Sequence, residues 1–188
     1  MKLVECKARH VMEGATLRVG VVADTHSAPN EAGLAHLAAL KPDLLLHAGD
    51  IGALGVIDRL RQLAPVHAVR GNIDGRELPD VVVLTLEEPD GARVLTVMLT
   101  HIAVVGPRIR PDAARRARAA GASLIVCGHS HVPFLTQERG LTLFNPGSIG
   151  PRRFRLPVLF GVMEIGPTGV SLAHYDCETG RRWVPGPG

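Results

Sequence analysis

Short apolar runs that break abruptly at a polar residue organise the first two thirds of the chain. "LRVGVVAD" ends at Asp24, "DLLLHAGD" at Asp50, "VHAVRGN" at Asn72, "VLTVMLTH" at His101, and "SLIVCGH" at His129. Runs of this kind read as strands buried on both faces, and the polar break marks where each leaves the sheet. Helix-spaced segments lie between the first three. Asn30 is placed to cap "EAGLAHLAALKP", with Leu34, Leu37 and Ala38 on one face and Pro42 as a stop. "ALGVIDRLRQLAP" sets Leu54, Ile57, Leu60 and Leu63 at helical intervals. Strand and helix therefore alternate, which predicts an α/β fold.

Beyond Val81 the pattern shifts to hairpins. "EEPDGAR" is a turn and "PDAARRARAAG" a short alanine-rich helix. "FLTQERGLTLFN", "LPVLFGVMEI" and "GVSLAHYD" are strand-like stretches joined by turns containing Gly or Pro. The expected organisation is one domain over 17–176. Residues 1–16 form an N-terminal arm or extra edge strand, with Met12 as an alternative start, and 177–188 form a tail.

Composition narrows the class. With 188 residues, 46% of them hydrophobic, the chain can bury a core without disulfides. Its three cysteines, Cys6, Cys127 and Cys177, are far apart and lack a Cys-x-x-Cys, so neither a disulfide framework nor a thiolate zinc knuckle is indicated. No apolar stretch nears the roughly 20 residues that span a bilayer, and "MKLVECKARH" lacks a signal-peptide core; the expectation is a cytoplasmic protein with no membrane partner. The net charge of +3 is carried by arginine clusters such as "RRARAAG" and "RRFR". With one Trp and one Tyr, nucleic-acid binding by base stacking is not indicated, although the arginines permit it.

The breaks themselves carry the chemistry. Asp24, His26, Asp50, Asn72, His101, His129 and His131 follow five strands, at the strand ends where open α/β sheets collect ligands. Singly, each has an ordinary role: the carboxylates and Asn72 as caps or turn formers, the histidines as hydrogen-bonded side chains. Together they form a donor set too large for one zinc ion and suited to two divalent ions that share a carboxylate, the arrangement that hydrolyses phosphate esters. Two such ions bring +4 against −2 from Asp24 and Asp50, so the site would attract anions. Cys127, His129 and His131, at i, i+2 and i+4, could instead aim at one zinc. Cys127, however, completes the apolar run "LIVC", and Gly128 bends the chain. His47 reads as a buried support residue, and His10, His36, His67 and His174 have no companions in the sequence.

The blocks "DTH", "GDIG", "GNID", "TH" and "GHSH", in that order, resemble the calcineurin-like metallophosphoesterases. "NPGSIGPR" and the short length resemble the small single-domain bacterial and archaeal phosphodiesterases of the YfcE-like group. The likeness runs from about Leu17 to about Tyr175. It implies a four-layer αββα sandwich of two mixed β-sheets flanked by helices. It also implies that Asp24, His26 and His131 hold one metal ion, that Asn72, His101 and His129 hold the other, and that Asp50 bridges both. Catalysis would centre on Asp50, Asn72 and His101, with Asn72 and His101 meeting substrate. Gly49, Gly71 and Gly128 would let backbone pass close to the ions, and Asn145, Gly147 and Ser148 would support the rim. The metal is expected to be Mn, with Ni, Fe or Zn as alternatives, and the family makes a homodimer or homotetramer an expectation.

The chain departs from the family pattern at three places. Ile73 stands where many relatives have a histidine that protonates the leaving group, leaving Asp74 or water as the acid. Ile102 replaces the usual glycine after His101, and the Pro-Arg of "GPRR" sits closer than the pattern suggests, which leaves Arg152 and Arg153 unassigned. The expected activity is a metal-dependent phosphodiesterase acting on a small phosphate ester. A phosphomonoesterase or nuclease is a variant of it, and a non-catalytic scaffold like the retromer subunit of this fold is the alternative. The intact set of seven candidate ligands favours the enzyme.

Overall fold

The computed structural model describes residues 3–185. In chain order its elements are β1 (Glu5–Val11), β2 (Leu17–Val22), α1 (Glu31–Ala39), β3 (Leu44–His47), α2 (Gly55–Arg61), β4 (Val66–Ala68), β5 (Val81–Glu87), β6 (Arg93–Thr100), β7 (Val104–Val105), β8 (Arg108–Ile109), α3 (Pro111–Ala119), β9 (Leu124–Val126), β10 (Phe134–Glu138), β11 (Leu141–Asn145), β12 (Leu159–Gly166), β13 (Gly169–Asp176) and β14 (Arg182–Trp183). They build two six-stranded sheets and a small β7–β8 ribbon.

The first sheet has the order β14-β13-β12-β2-β3-β4. Its strands β2, β3 and β4 are parallel, and the β12–β14 half is antiparallel. The second has the order β1-β5-β6-β9-β11-β10, with β9 parallel to both β6 and β11. β1 runs parallel to β5 along the sheet edge.

Side-chain alternation fixes the layers. Leu44 and Leu46 of β3 join Val82, Leu84, Val97 and Leu99 of the second sheet in the core between the sheets. Leu45, between them, points the other way and packs with Leu37 of α1 and with Ile57 and Leu60 of α2. All three leucines of β3 are fully buried, each worth about 1.5–3 kcal/mol of apolar burial. On the far side, Val83 and Met98 meet Ala113 and Ala117 of α3; the short alanine side chains let the helix lie close to the sheet. The result is the helix–sheet–sheet–helix order expected of the family.

Two local expectations change. α2 begins one residue after Leu54, which is its N-cap and 49% exposed, so Val56 takes the buried place instead. The segment after Asp176 is not simply a tail. Cys177 is fully buried against Gly33, and Arg182–Trp183 adds β14 to the sheet. Residues 1–2 of the arm and 186–188 of the tail lie outside the described residues.

Candidate metal centre

The candidate residues leave the C-terminal ends of β2, β3 and β4 in one sheet and of β6 and β9 in the other. Backbone bonds join the loops: Asp24 N donates to Gly49 O at 2.9 Å, His26 N to Asp50 O at 3.0 Å, and Gly128 N to His101 O at 3.0 Å. Asp24, Asp50, His101 and His131 are buried, while Asn72 is exposed at the rim.

Two groups of donor atoms form. Those of Asp24, His26 and His131 lie within 4.8 Å of one another, as do those of Asp24, Asp50 and His101. Asp50 turns one oxygen to each side: Oδ1 is 3.3 Å from His101 Nε2 and Oδ2 is 3.9 Å from His26 Nε2. His26 Nε2 and His131 Nε2 face each other at 3.3 Å. His129 joins through its ring, which meets His101 edge-on at 5.1 Å, and through its amide, which donates to both Asp24 oxygens. Asn72 is tied in by its backbone N–H, which donates to Asp50 Oδ1 at 2.5 Å. All seven predicted residues are thus brought together, although His129 and Asn72 belong to neither close donor group.

The backbone is strained where the donors sit. Of the nine described non-glycine residues with positive φ, five are Asp24 (55°), His26 (45°), Asp50 (54°), His129 (71°) and His131 (57°). Left-handed backbone costs about 1–2 kcal/mol per residue, and such strain collects at functional sites. Gly71 shows how tight the packing is, because a Cβ there would overlap the amide and carboxylate of Asp50.

The protein's own charges tune the donors. Burial pushes the Asp24 carboxyl up to about 7, with His101 opposing the rise and Asp50 adding to it. Burial also favours neutral Asp50, but His101 and the amides of Ile73 and Asn72 outweigh it and hold that carboxyl well below the usual range. His131 falls to about 4 through burial, Arg153 and His26. Burial likewise lowers His26 and His129. These three imidazoles are neutral at pH 7, as ligands must be. For His101, burial lowers the pKa, but Asp50 and the Ala48 carbonyl outweigh it and raise it.

Whether the residues fit a divalent cation is answered by the donor set. His101 donates Nδ1–H to Ala48 O at 2.7 Å, which leaves Nε2 as the free nitrogen beside Asp50. That Nε2, and Nδ1 of His131, are buried without a hydrogen-bond partner. Buried orphan nitrogens are rare. An imidazole fixed by a backbone carbonyl, with its other nitrogen turned to carboxylates, fits a metal ligand.

Several supporting residues were hidden in the sequence or given other roles. Asp74, read as a candidate leaving-group acid, is instead a tie: its oxygens accept the amides of Gly71, Ile51 and Gly52 at 2.7–2.9 Å. Both oxygens are committed as acceptors, which turns the side chain toward these three amides. His47 accepts from the Gly49 amide and donates Nε2–H to Thr25 Oγ1 at 3.0 Å; full burial pushes its pKa down to about 3. His174 is not isolated, since its Nε2 donates to Asn145 O at 2.8 Å. Asn145 in turn donates to Gly128 O and Ser130 Oγ, bracing the loop that carries His129 and His131. Ser148 Oγ bonds to Asp24 O, and Gly147 N donates to Asn145 Oδ1. Arg153 reaches the centre, 3.1 Å from His26 Nε2, whereas Arg152 is turned away to Glu178. Some of these bonds are local, as from Gly71 to Asp74, but the ties that define the roles join segments distant in sequence, as from Ile51 to Asp74 and from His174 to Asn145.

Known proteins are similar to this chain in sequence and in fold. A probable metallophosphoesterase of Methanocaldococcus jannaschii is 32% identical over 139 residues, 72% of this chain and 69% of that protein. The probable metallophosphoesterase YsnB of Bacillus subtilis is 27% identical, over 85% of this chain and 91% of its own. Among solved structures, a Vps29 single mutant from Entamoeba histolytica superposes with a TM-score of 0.73 at 23% identity, covering 89% of this chain and 96% of that one. YfcE, a phosphoesterase from E. coli, does so with a TM-score of 0.61 at 22% identity, covering 89% and 97%. The family model for the calcineurin-like phosphoesterase superfamily domain matches residues 17–167, and the chain belongs to that superfamily.

Proposed function

We propose that this protein is a phosphodiesterase that works with two divalent metal ions. The observation that carries the reading is Asp50, whose two oxygens face histidines on opposite sides, as a carboxylate shared between two ions requires. Asp24, His26 and His131 would hold one ion, and Asn72, His101 and His129 the other. When bound, such ions polarise phosphoryl oxygens and furnish hydroxide from water near neutral pH.

The chain's own groups do the rest. Asn72, exposed at the rim, would orient a phosphoryl oxygen. Arg153 offers a guanidinium beside His26, where a substrate anion can replace the ring nitrogen as its partner. Ile73 is 53% exposed and carries no proton, so the leaving alkoxide must be intrinsically stable or take its proton from water. That favours diesters with good leaving groups. Mn is the first metal to test, then Ni, Fe and Zn.

A scaffold reading draws on the likeness to Vps29 and on Ile73, Ile102, Val132 and Phe154, which follow site residues in the chain and are 37–93% exposed. The complete donor set weighs against it. The deciding experiment compares hydrolysis of bis(4-nitrophenyl) phosphate and 4-nitrophenyl phosphate by protein reconstituted with each metal. A diester preference is expected; no hydrolysis with any of the four metals overturns the proposal.

A further inference from the structure

A cavity of about 400 Å³ opens beside the candidate centre, and Asn72 and His101 line its mouth. Val81 and Met98 of the second sheet and Ala113 of α3 give it an apolar floor. Three arginines also line it. Arg70 belongs to the wall: it bonds Asp80 at 3.1 Å, both side chains are about four-fifths buried, and Asp80 also accepts the Val4 amide at 2.8 Å.

Arg110 and Arg116 are held differently. Their partners are Asp112 at 3.1 Å and Glu5 at 3.2 Å, and all four side chains are 33–58% exposed. Ion pairs this exposed contribute little and exchange readily for a better partner. A guanidinium fork matches a carboxylate or phosphate.

Resting on the phosphodiesterase reading, we infer that this cavity holds the retained arm of the diester and that this arm ends in a second anionic group, a carboxylate or phosphate, gripped by Arg110 and Arg116. The apolar floor takes the body of the arm. The leaving arm lies elsewhere, because the arginines of the cavity hold their protons too tightly to give one to an alkoxide, Thr100 spends its hydroxyl proton on Asp80 O, and His101 would be committed to an ion in the proposed centre. Its path runs over Ile73, on the open side of the centre.

The test uses 4-nitrophenyl phosphodiesters whose second arm is butyl, 4-carboxybutyl or 4-phosphonooxybutyl. In the parent, one or both anionic arms raise kcat/KM about tenfold or more over butyl, the gain a charge-assisted hydrogen bond gives. Which arm gains more identifies the anion. The Arg110→Ala/Arg116→Ala double variant loses the preference while its rate on the butyl diester stays unchanged. Glu5→Gln, which frees Arg116, increases the preference. Calorimetric titration with butane-1,4-diol bisphosphate provides a readout apart from turnover, with about tenfold weaker binding to the double variant expected. Equal kcat/KM for all three arms in an active parent overturns the cavity assignment and leaves the hydrolase reading standing. Absence of hydrolysis in every case overturns the hydrolase reading, and equal binding of the bisphosphate by parent and double variant then overturns the cavity assignment separately.

Discussion

The two sheets supply the centre differently. The first contributes Asp24, His26, Asp50 and Asn72 from neighbouring parallel strands, and it binds their loops to one another through backbone bonds and the Asp74 carboxylate. The second contributes only imidazoles, His101, His129 and His131. These are steadied by reaching across to the first sheet, at Ala48 and Asp24, and by the Asn145–His174 brace behind them. The carboxylates and the ties between loops thus reside in one sheet, and imidazoles alone come from the other. The centre exists only where the two sheets keep their relative position.

That contrast sets the order of expected effects. Asp50→Ala removes the group both halves share, and kcat/KM for bis(4-nitrophenyl) phosphate should fall on the order of 1000-fold. Asp74→Ala unties two first-sheet loops and leaves three amides without their carboxylate. A loss of roughly 100-fold in activity and about 3 kcal/mol in urea unfolding is expected. Asn145→Ala loosens the His129–His131 loop and frees one amide, that of Gly147, so roughly tenfold in activity is expected. If Asn145→Ala proves more damaging than Asp74→Ala, the contrast between the sheets is wrong.

How much of this was legible beforehand follows from the same contrast. The candidate donors stand at the ends of apolar runs, where residue type and position coincide; the structure gathers Asp24, His26, Asp50, His101 and His131 into close groups and leaves His129 and Asn72 outside them. β3 shows why the fold was readable too: three successive leucines, buried on alternate faces, require a layer on each side. The supports were not readable. Asp74 looks like an acid until its three amide donors are seen, and His174 is 29 residues from Asn145. The placement of Arg153 beside His26 spans 127 residues. The shorter α2, too, depended on packing, because only the sheet decides between Leu54 and Val56.

Smaller effects sharpen the account further. Ile73→His should raise turnover of a poor-leaving-group diester such as an alkyl ester by about tenfold or more, the low end of general acid catalysis, with little change for 4-nitrophenol as leaving group. His47 gives a pH dependence. Its pKa is about 3 in the fold against 6.5 ordinarily, so the unfolded chain binds the proton more readily. Its contribution is intact above about pH 6.5 and is lost as pH falls toward 3, by about 1.4 kcal/mol per pH unit. Urea midpoints between pH 7.5 and 5 should therefore drop more steeply for the parent than for His47→Asn.

Metal stoichiometry tests the central claim most directly. After loading with Mn²⁺ and gel filtration, elemental analysis should find two ions per chain in the parent, and less than one in Asp50→Ala if its folded circular-dichroism spectrum is retained. A parent that binds one ion or none, or an Asp50→Ala variant that keeps two, would contradict a centre built around a shared carboxylate.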